Sequence, residues 1–81
     1  MARVLLSGAL RRHAGGRAEL AIEARTYREL LAALEARFPG IASLIEGRTS
    51  LAIDGEIIAD PLLETIPPRS EIHFVPRVAG G

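Results

Sequence analysis

Apolar spacing changes period twice along this chain, from two to about 3.6 and back to two, which restricts the 81 residues to a helix set between strand pairs. Residues 17–24 alternate, with Ala18, Leu20 and Ile22 on one face and Arg17, Glu19 and Glu23 on the other, the pattern of a half-buried strand. Farther on, Leu30, Leu31, Leu34 and Phe38 recur at helical spacing. Alternation returns at 51–58 and again at 71–75.

The boundaries carry their own signals. Thr26-Tyr27-Arg28-Glu29 is a capping box, in which the Thr26 hydroxyl accepts from the Glu29 amide and the Glu29 carboxylate is expected to reach back to the Thr26 amide. Phe38-Pro39-Gly40 stops that helix, because proline biases the residue before it away from helical angles. Ile41 to Gly47 has room for a short second helical turn. Asp54-Gly55 supplies the two positive-φ residues of a type I′ turn, so Ile53 should pair with Glu56, Ala52 with Ile57 and Leu51 with Ile58. Leu51, Ile53 and Ile58 then face the core and Ile57 faces away.

Arg3 to Ser7 reads as a first strand with Val4 and Leu6 inward, followed by a loop through His13 and a Gly15-Gly16 turn. Asp60 to Ser70, with three prolines, reads as a loop with one helical turn near Leu62 and Leu63. Glu71 to Val75 is a last strand with Ile72 and Phe74 inward and His73 and Val75 outward. This order predicts an α+β roll of the β-grasp type: a mixed four- to five-stranded sheet packed on one main helix, with the first and last strands side by side. Residues 1–75 form the domain and 76–81 a C-terminal tail. Leu5, Ile57, His73 and Val75 then share the sheet face opposite the helix, where they are expected to form an apolar patch for a protein partner.

Side-chain chemistry is sparse. Without cysteine or lysine the chain has neither a thiol for covalent catalysis or metal binding nor a side-chain amine for acylation. Ten arginines balance ten acids, which leaves no net field to hold a nucleic acid. No apolar run is long enough to span a membrane or to serve as a secretory signal, so a cytoplasmic location is expected. His13 lies beside Arg11 and Arg12 with no carboxylate cluster near it, and is read as a solvated loop histidine with no metal site. An enzyme acting alone is not expected from such a chain.

The C-terminus offers more. Arg77-Val78-Ala79-Gly80-Gly81 follows Pro76 as an apolar extension from a strand, and six tail residues at roughly 3.3 Å each reach about 20 Å. With no Cβ at Gly80 or Gly81, such an arm can thread a narrow channel and set its carboxylate against the α-phosphate of ATP held by another protein.

At these positions the chain resembles the ubiquitin-like sulfur carriers typified by MoaD and ThiS. Arg3-Val4-Leu5-Leu6, Thr26-Tyr27-Arg28-Glu29-Leu30-Leu31, Arg37-Phe38-Pro39 and the run Phe74 to Gly81 carry the likeness in order and spacing. The resemblance implies a β-grasp fold, adenylation of Gly81 and its conversion to a C-terminal thiocarboxylate, a 1-thioglycine, with Arg77, Val78, Ala79 and Gly80 held in the partner's channel. It implies no bound cofactor, with ATP used by a MoeB/ThiF-type adenylating enzyme and sulfur supplied by a cysteine desulfurase or rhodanese-type donor. Length and the Val-Ala-Gly-Gly ending are most like the molybdopterin synthase small subunit, which implies a MoaE-type large subunit as partner. Against that branch, Arg77 follows a single proline and Ser7 stands where a bulky aromatic is usual, so thiamine, cysteine or tRNA thiolation and a ubiquitin-like protein modifier stay open.

Overall fold

A computed structural model describes residues 1–46, 49–58 and 64–76. Among the described residues five strands form one mixed sheet: β1 (Ala2–Leu5), β2 (Glu19–Ile22), β3 (Thr49–Ile53), β4 (Glu56–Ile58) and β5 (Glu71–Pro76). The sheet order is β2-β1-β5-β3-β4. The helices α1 (Gly8–His13), α2 (Tyr27–Arg37) and α3 (Ile41–Ile45) cover one face, and the buried side chains from both layers form one core among the described residues. This is the expected β-grasp, with β5 running parallel to β1 at its centre: Val4 pairs with Ile72 and Leu5 with His73.

Local chemistry explains most of the elements. Thr26 caps α2, its Oγ1 accepting from the Glu29 amide at 3.2 Å. The returning Glu29 carboxylate departs from expectation: Oε1 accepts from the Arg25 amide (2.9 Å), one residue earlier than the expected Thr26 amide. The reason is that the segment about Thr26 is drawn into an isolated bridge with Thr65, in which the Ile66 amide donates to the Arg25 carbonyl and the Tyr27 amide to the Glu64 carbonyl. Leu30 and Leu34 are fully buried, while Leu31 and Phe38 pack half-buried at the core's rim. At the other end Gly40 (φ 95°) turns the chain into the short helix α3. Glu35 closes that junction, accepting from the Gly40 amide (2.7 Å) and the Ala42 amide (3.0 Å).

The β3-β4 hairpin has the expected register, with Asp54 (φ 50°) and Gly55 (φ 86°) in the left-handed region that a type I′ turn requires. Residues 59–63, including the helical turn expected at Leu62 and Leu63, lie outside the described residues.

Four expectations about residues 1–24 need correction. β1 ends at Leu5 rather than Ser7, and β2 spans four residues, Glu19–Ile22, rather than eight. The chain leaves the sheet at Ser7 because residues 8–13, expected as loop, are the helix α1. Its purpose in packing is to press Leu10 and Ala14, both buried, into the core between the sheet and α3. His13 is therefore the last residue of a helix, exposed, with Nε2 2.7 Å from the Pro39 carbonyl oxygen, and not a solvated loop residue.

Candidate functional site

The helix-free face of the sheet is built from the alternate residues that the core rejects. Reading across the strands, Leu5 on β1 neighbours His73 on β5, His73 neighbours Ala52 on β3, and Ala52 neighbours Ile57 on β4. Val75, two residues beyond His73 on the same face, pairs with Ser50. The four residues expected to share this face thus do so. They are not equally open: Ile57 is 64 % exposed, whereas Leu5, His73 and Val75 are half-buried. Ala52 is itself buried on this open face, because a small side chain between His73 and Ile57 is covered by its taller neighbours.

Below this row lies a charged one that sequence reasoning missed. Arg3, opposite Glu71 across the β1-β5 pair, donates from its guanidinium to Glu71 Oε2 and approaches Glu19 Oε1 on β2 at 3.5 Å. Glu71 Oε1 accepts from His73 Nε2 at 2.9 Å. The hydrogen bonds from His73 and then Arg3 hold the Glu71 carboxyl below the usual carboxylate range. The same bond to Glu71, with the charge of Glu19, raises the Arg3 guanidinium further still. A signal existed: once the first and last strands are placed in parallel, Arg3 and Glu71 stand two residues before the neighbours Leu5 and His73 on the same face. The imidazole is thus tied to a carboxylate and anchors the apolar row to the charged one.

The last described residue, Pro76, ends β5 one residue inside the segment read as tail. Hollows flank it on both sides of the sheet. One of about 200 Å³ on the helix side is lined by Ser7, Leu10, Leu44, Thr49, Phe74 and Pro76. The other, about 300 Å³ on the open face, is lined by Leu5, Ser7, His73, Val75 and Pro76 among others. Arg77, Val78, Ala79, Gly80 and Gly81, the residues expected to react or to be gripped, lie outside the described residues. What the fold supplies is their root, at the end of the central strand between two shallow depressions. Among the described residues no cluster of three or more His, Asp or Glu side chains is placed to hold a metal ion, and no helix is long and apolar enough to cross a membrane.

With that geometry in place, the sequence was compared with known proteins. The model of the ThiS family matches residues 4–81. The chain belongs to that family. ThiS-family proteins are small ubiquitin-like sulfur carriers, and the match runs through the diglycine end. A search of curated protein sequences finds no match. Among solved structures, the ThiS-family chain is similar to CysO of Mycobacterium tuberculosis, described as an antigen, at TM-score 0.86 and 19 % identity over 96 % of this chain and 100 % of that one. It is similar to the Amycolatopsis orientalis BexX/CysO complex at TM-score 0.84 and 22 % identity, with both chains fully covered. The small archaeal modifier protein 1 of Methanosarcina acetivorans aligns at TM-score 0.81 and 25 % identity over 99 % of this chain and 95 % of that one. These likenesses agree with the mixed five-stranded β-grasp described above.

Proposed function

We propose that this ThiS-family chain carries sulfur on Gly81 for molybdopterin synthesis, as the small subunit of a molybdopterin synthase. The observation that carries the carrier reading is the continuity of the family match from β1 to the terminal glycine pair, on a fold whose central strand ends at the tail's root. The molybdopterin branch rests on chain length and the Val-Ala-Gly-Gly ending.

The chemistry asks little of side chains. A carboxylate is a poor electrophile until its oxygen displaces pyrophosphate from ATP; a sulfide equivalent then adds to the acyl carbon, AMP leaves, and a thiocarboxylate remains. On this chain every bond made or broken lies at the Gly81 carboxyl, the phosphoanhydride bond that breaks being ATP's own, so a chain without cysteine or lysine suffices. The adenylating enzyme, the sulfur donor and the large synthase subunit supply the catalytic groups. The open face carrying Leu5, His73, Val75 and Ile57 is where these partners dock, and β5 brings the root of the tail, at Pro76, to the edge of that face.

A second reading is favoured by the likeness to an archaeal modifier protein: Gly81, once adenylated, acylates an amine of another protein. Incubation with ATP, a MoeB/ThiF-type enzyme and a sulfur donor, followed by intact-mass spectrometry, separates the two. One oxygen exchanged for sulfur at Gly81 supports the carrier, and a covalent adduct on a lysine of another protein supports the modifier. An unchanged mass with a demonstrably active enzyme set refutes both. Adding a residue after Gly81 should abolish either product, since the reacting carboxyl becomes an internal amide, while circular dichroism stays unchanged.

A further inference from the structure

The chain's charges balance overall but not locally. Arg11 and Arg12 have no acid within six residues in sequence, and Glu19, two residues from Arg17, is turned to Arg3 (3.5 Å), whereas Arg25, Arg28, Arg37 and Arg69 each have a glutamate within two residues. Arg3 shows what compensation looks like in this fold, set between Glu19 and Glu71. Arg11, Arg12 and Arg17 are exposed and make no ion pair among the described residues.

The stretch is also held in shape. The Arg11 Nε donates to the Gly16 carbonyl at 3.0 Å, and the turn between them uses left-handed Gly15 (φ 71°) and Gly16 (φ 91°). That bond occupies one edge of the Arg11 guanidinium and leaves its terminal nitrogens to fork a carboxylate. His13 fixes the end of α1 against Pro39. On the far side of the turn, the Leu6 amide donates to the Ala18 carbonyl at 2.8 Å, which sets Arg17 beside Ser7.

Position gives these cations a role. Gly8, Ala9 and Leu10, the start of α1, line the same hollow as Pro76, the root of the tail. Six helical residues at 1.5 Å each extend only about 9 Å, so a protein that closes around the chain beyond Pro76 arrives within a helix length of Arg11 and Arg12, and Arg17 stands beside Ser7 of the same hollow. We propose that this arginine cluster is a second contact, distinct from the open sheet face, for an acidic surface at the mouth of the tail-receiving channel of the adenylating enzyme. It steers the tail toward that mouth before the apolar face is buried. The inference rests on the carrier reading and names its partner's chemistry. A protein is favoured over a nucleic acid because the whole chain has no net positive charge.

The test is the association rate with an adenylating enzyme whose ATP–pyrophosphate exchange depends on this chain, measured by stopped flow over a range of salt. Arg12→Glu/Arg17→Glu leaves the Arg11 bond to Gly16 untouched. The matched control is Arg25→Glu/Arg28→Glu: the same charge change at the opposite end of the sheet, where Arg25 lines a hollow with Met1. The cluster variant should associate at least about tenfold more slowly at low salt and lose much of its salt dependence, with the control changed by less than about threefold. Equal rates and equal salt slopes for the two variants overturn the proposal while wild-type association leaves the carrier reading standing. No association or exchange with the wild-type chain overturns both. Single-stranded RNA binding lost in the cluster variant, with enzyme association unchanged, assigns the cluster to a polyanion instead and likewise overturns it. Circular dichroism of both variants checks that each is folded.

Discussion

β5 presents two faces of one strand to two different environments. Ile72 and Phe74 are buried under the helices, and His73 and Val75 stand half-buried on the open side. Neighbouring positions on the same backbone therefore report different things: on the helix side a substitution is read as stability, while on the open side it should leave the fold standing and bear on the docking proposed above. Apolar character alone does not separate the two, since Val75 is as aliphatic as Ile72. What separates them is whether a second layer covers the side chain.

Shortening a side chain on the covered face tests this most severely. Ile72→Ala leaves a cavity beneath a fully buried position and should cost about 2–5 kcal/mol of unfolding free energy in urea titration. A loss below about 1 kcal/mol would mean that the helix layer relaxes onto the gap and that the two faces differ less than described. Val75→Asp, three residues on, should leave the melting temperature nearly unchanged. Its affinity for the adenylating enzyme should fall about a hundredfold, roughly 2.7 kcal/mol, because docking would bury an unpaired carboxylate. Unchanged affinity in calorimetric titration would remove the open face from the docking surface, and a lowered melting temperature would show that Val75 belongs to the folded core.

The smallest effect lies in the helical layer and sharpens the comparison through pH. The Glu35 carboxyl is held below its usual range, first by the Gly40 amide, then by the Ala42 amide and the nearby His13. A carboxyl depressed in the folded state stabilises it above the unfolded carboxylate range, and that contribution is lost as pH falls through the folded value. Glu35→Gln should therefore lower the melting temperature slightly at neutral pH, and the gap from wild type should close in acid. A gap that stays constant with pH would refute the assignment. Glu71, depressed on the opposite face, adds an acid limb of the same sign to both proteins and cancels in the difference.

How far the sequence spoke varied with the length of each signal. Asp54-Gly55 imposes a turn type and hence a register, so the whole β3-β4 pairing was legible from two residues. Thr26 and Pro39 bracket eleven residues of α2 with apolar side chains at helical spacing, long enough for a period to emerge. α1 has six residues, no side-chain cap, and a start at Gly8 with φ 58°, so neither period nor cap marked it. Its packing decides it: Leu10 and Ala14 are buried only because α3 and the sheet are there to receive them. The capping carboxylate of Glu29 missed by one residue for a similar reason, the bridge to Thr65 being set by a partner far along the chain. On the open face, alternation gave the apolar members. The ion pair of Arg3 with Glu71 needed a register across 68 residues that no local pattern encodes.

The placement of β5 between β1 and β3 has a consequence in time. The β1-β2 and β3-β4 pairs are local antiparallel units, but the strand that joins them is the last of the five, and its partners on one side lie 68 residues back. Closing so long a loop costs entropy that only the completed core returns, so assembly waits on the final strand. During synthesis, β1 and β3 emerge before the strand that unites them, and a chain truncated before Ile72 has no sheet centre to form. The open face, which takes His73 and Val75 from that same strand, exists only after it docks. A partner that recognised this face would thereby recognise only chains whose last strand has been made and docked.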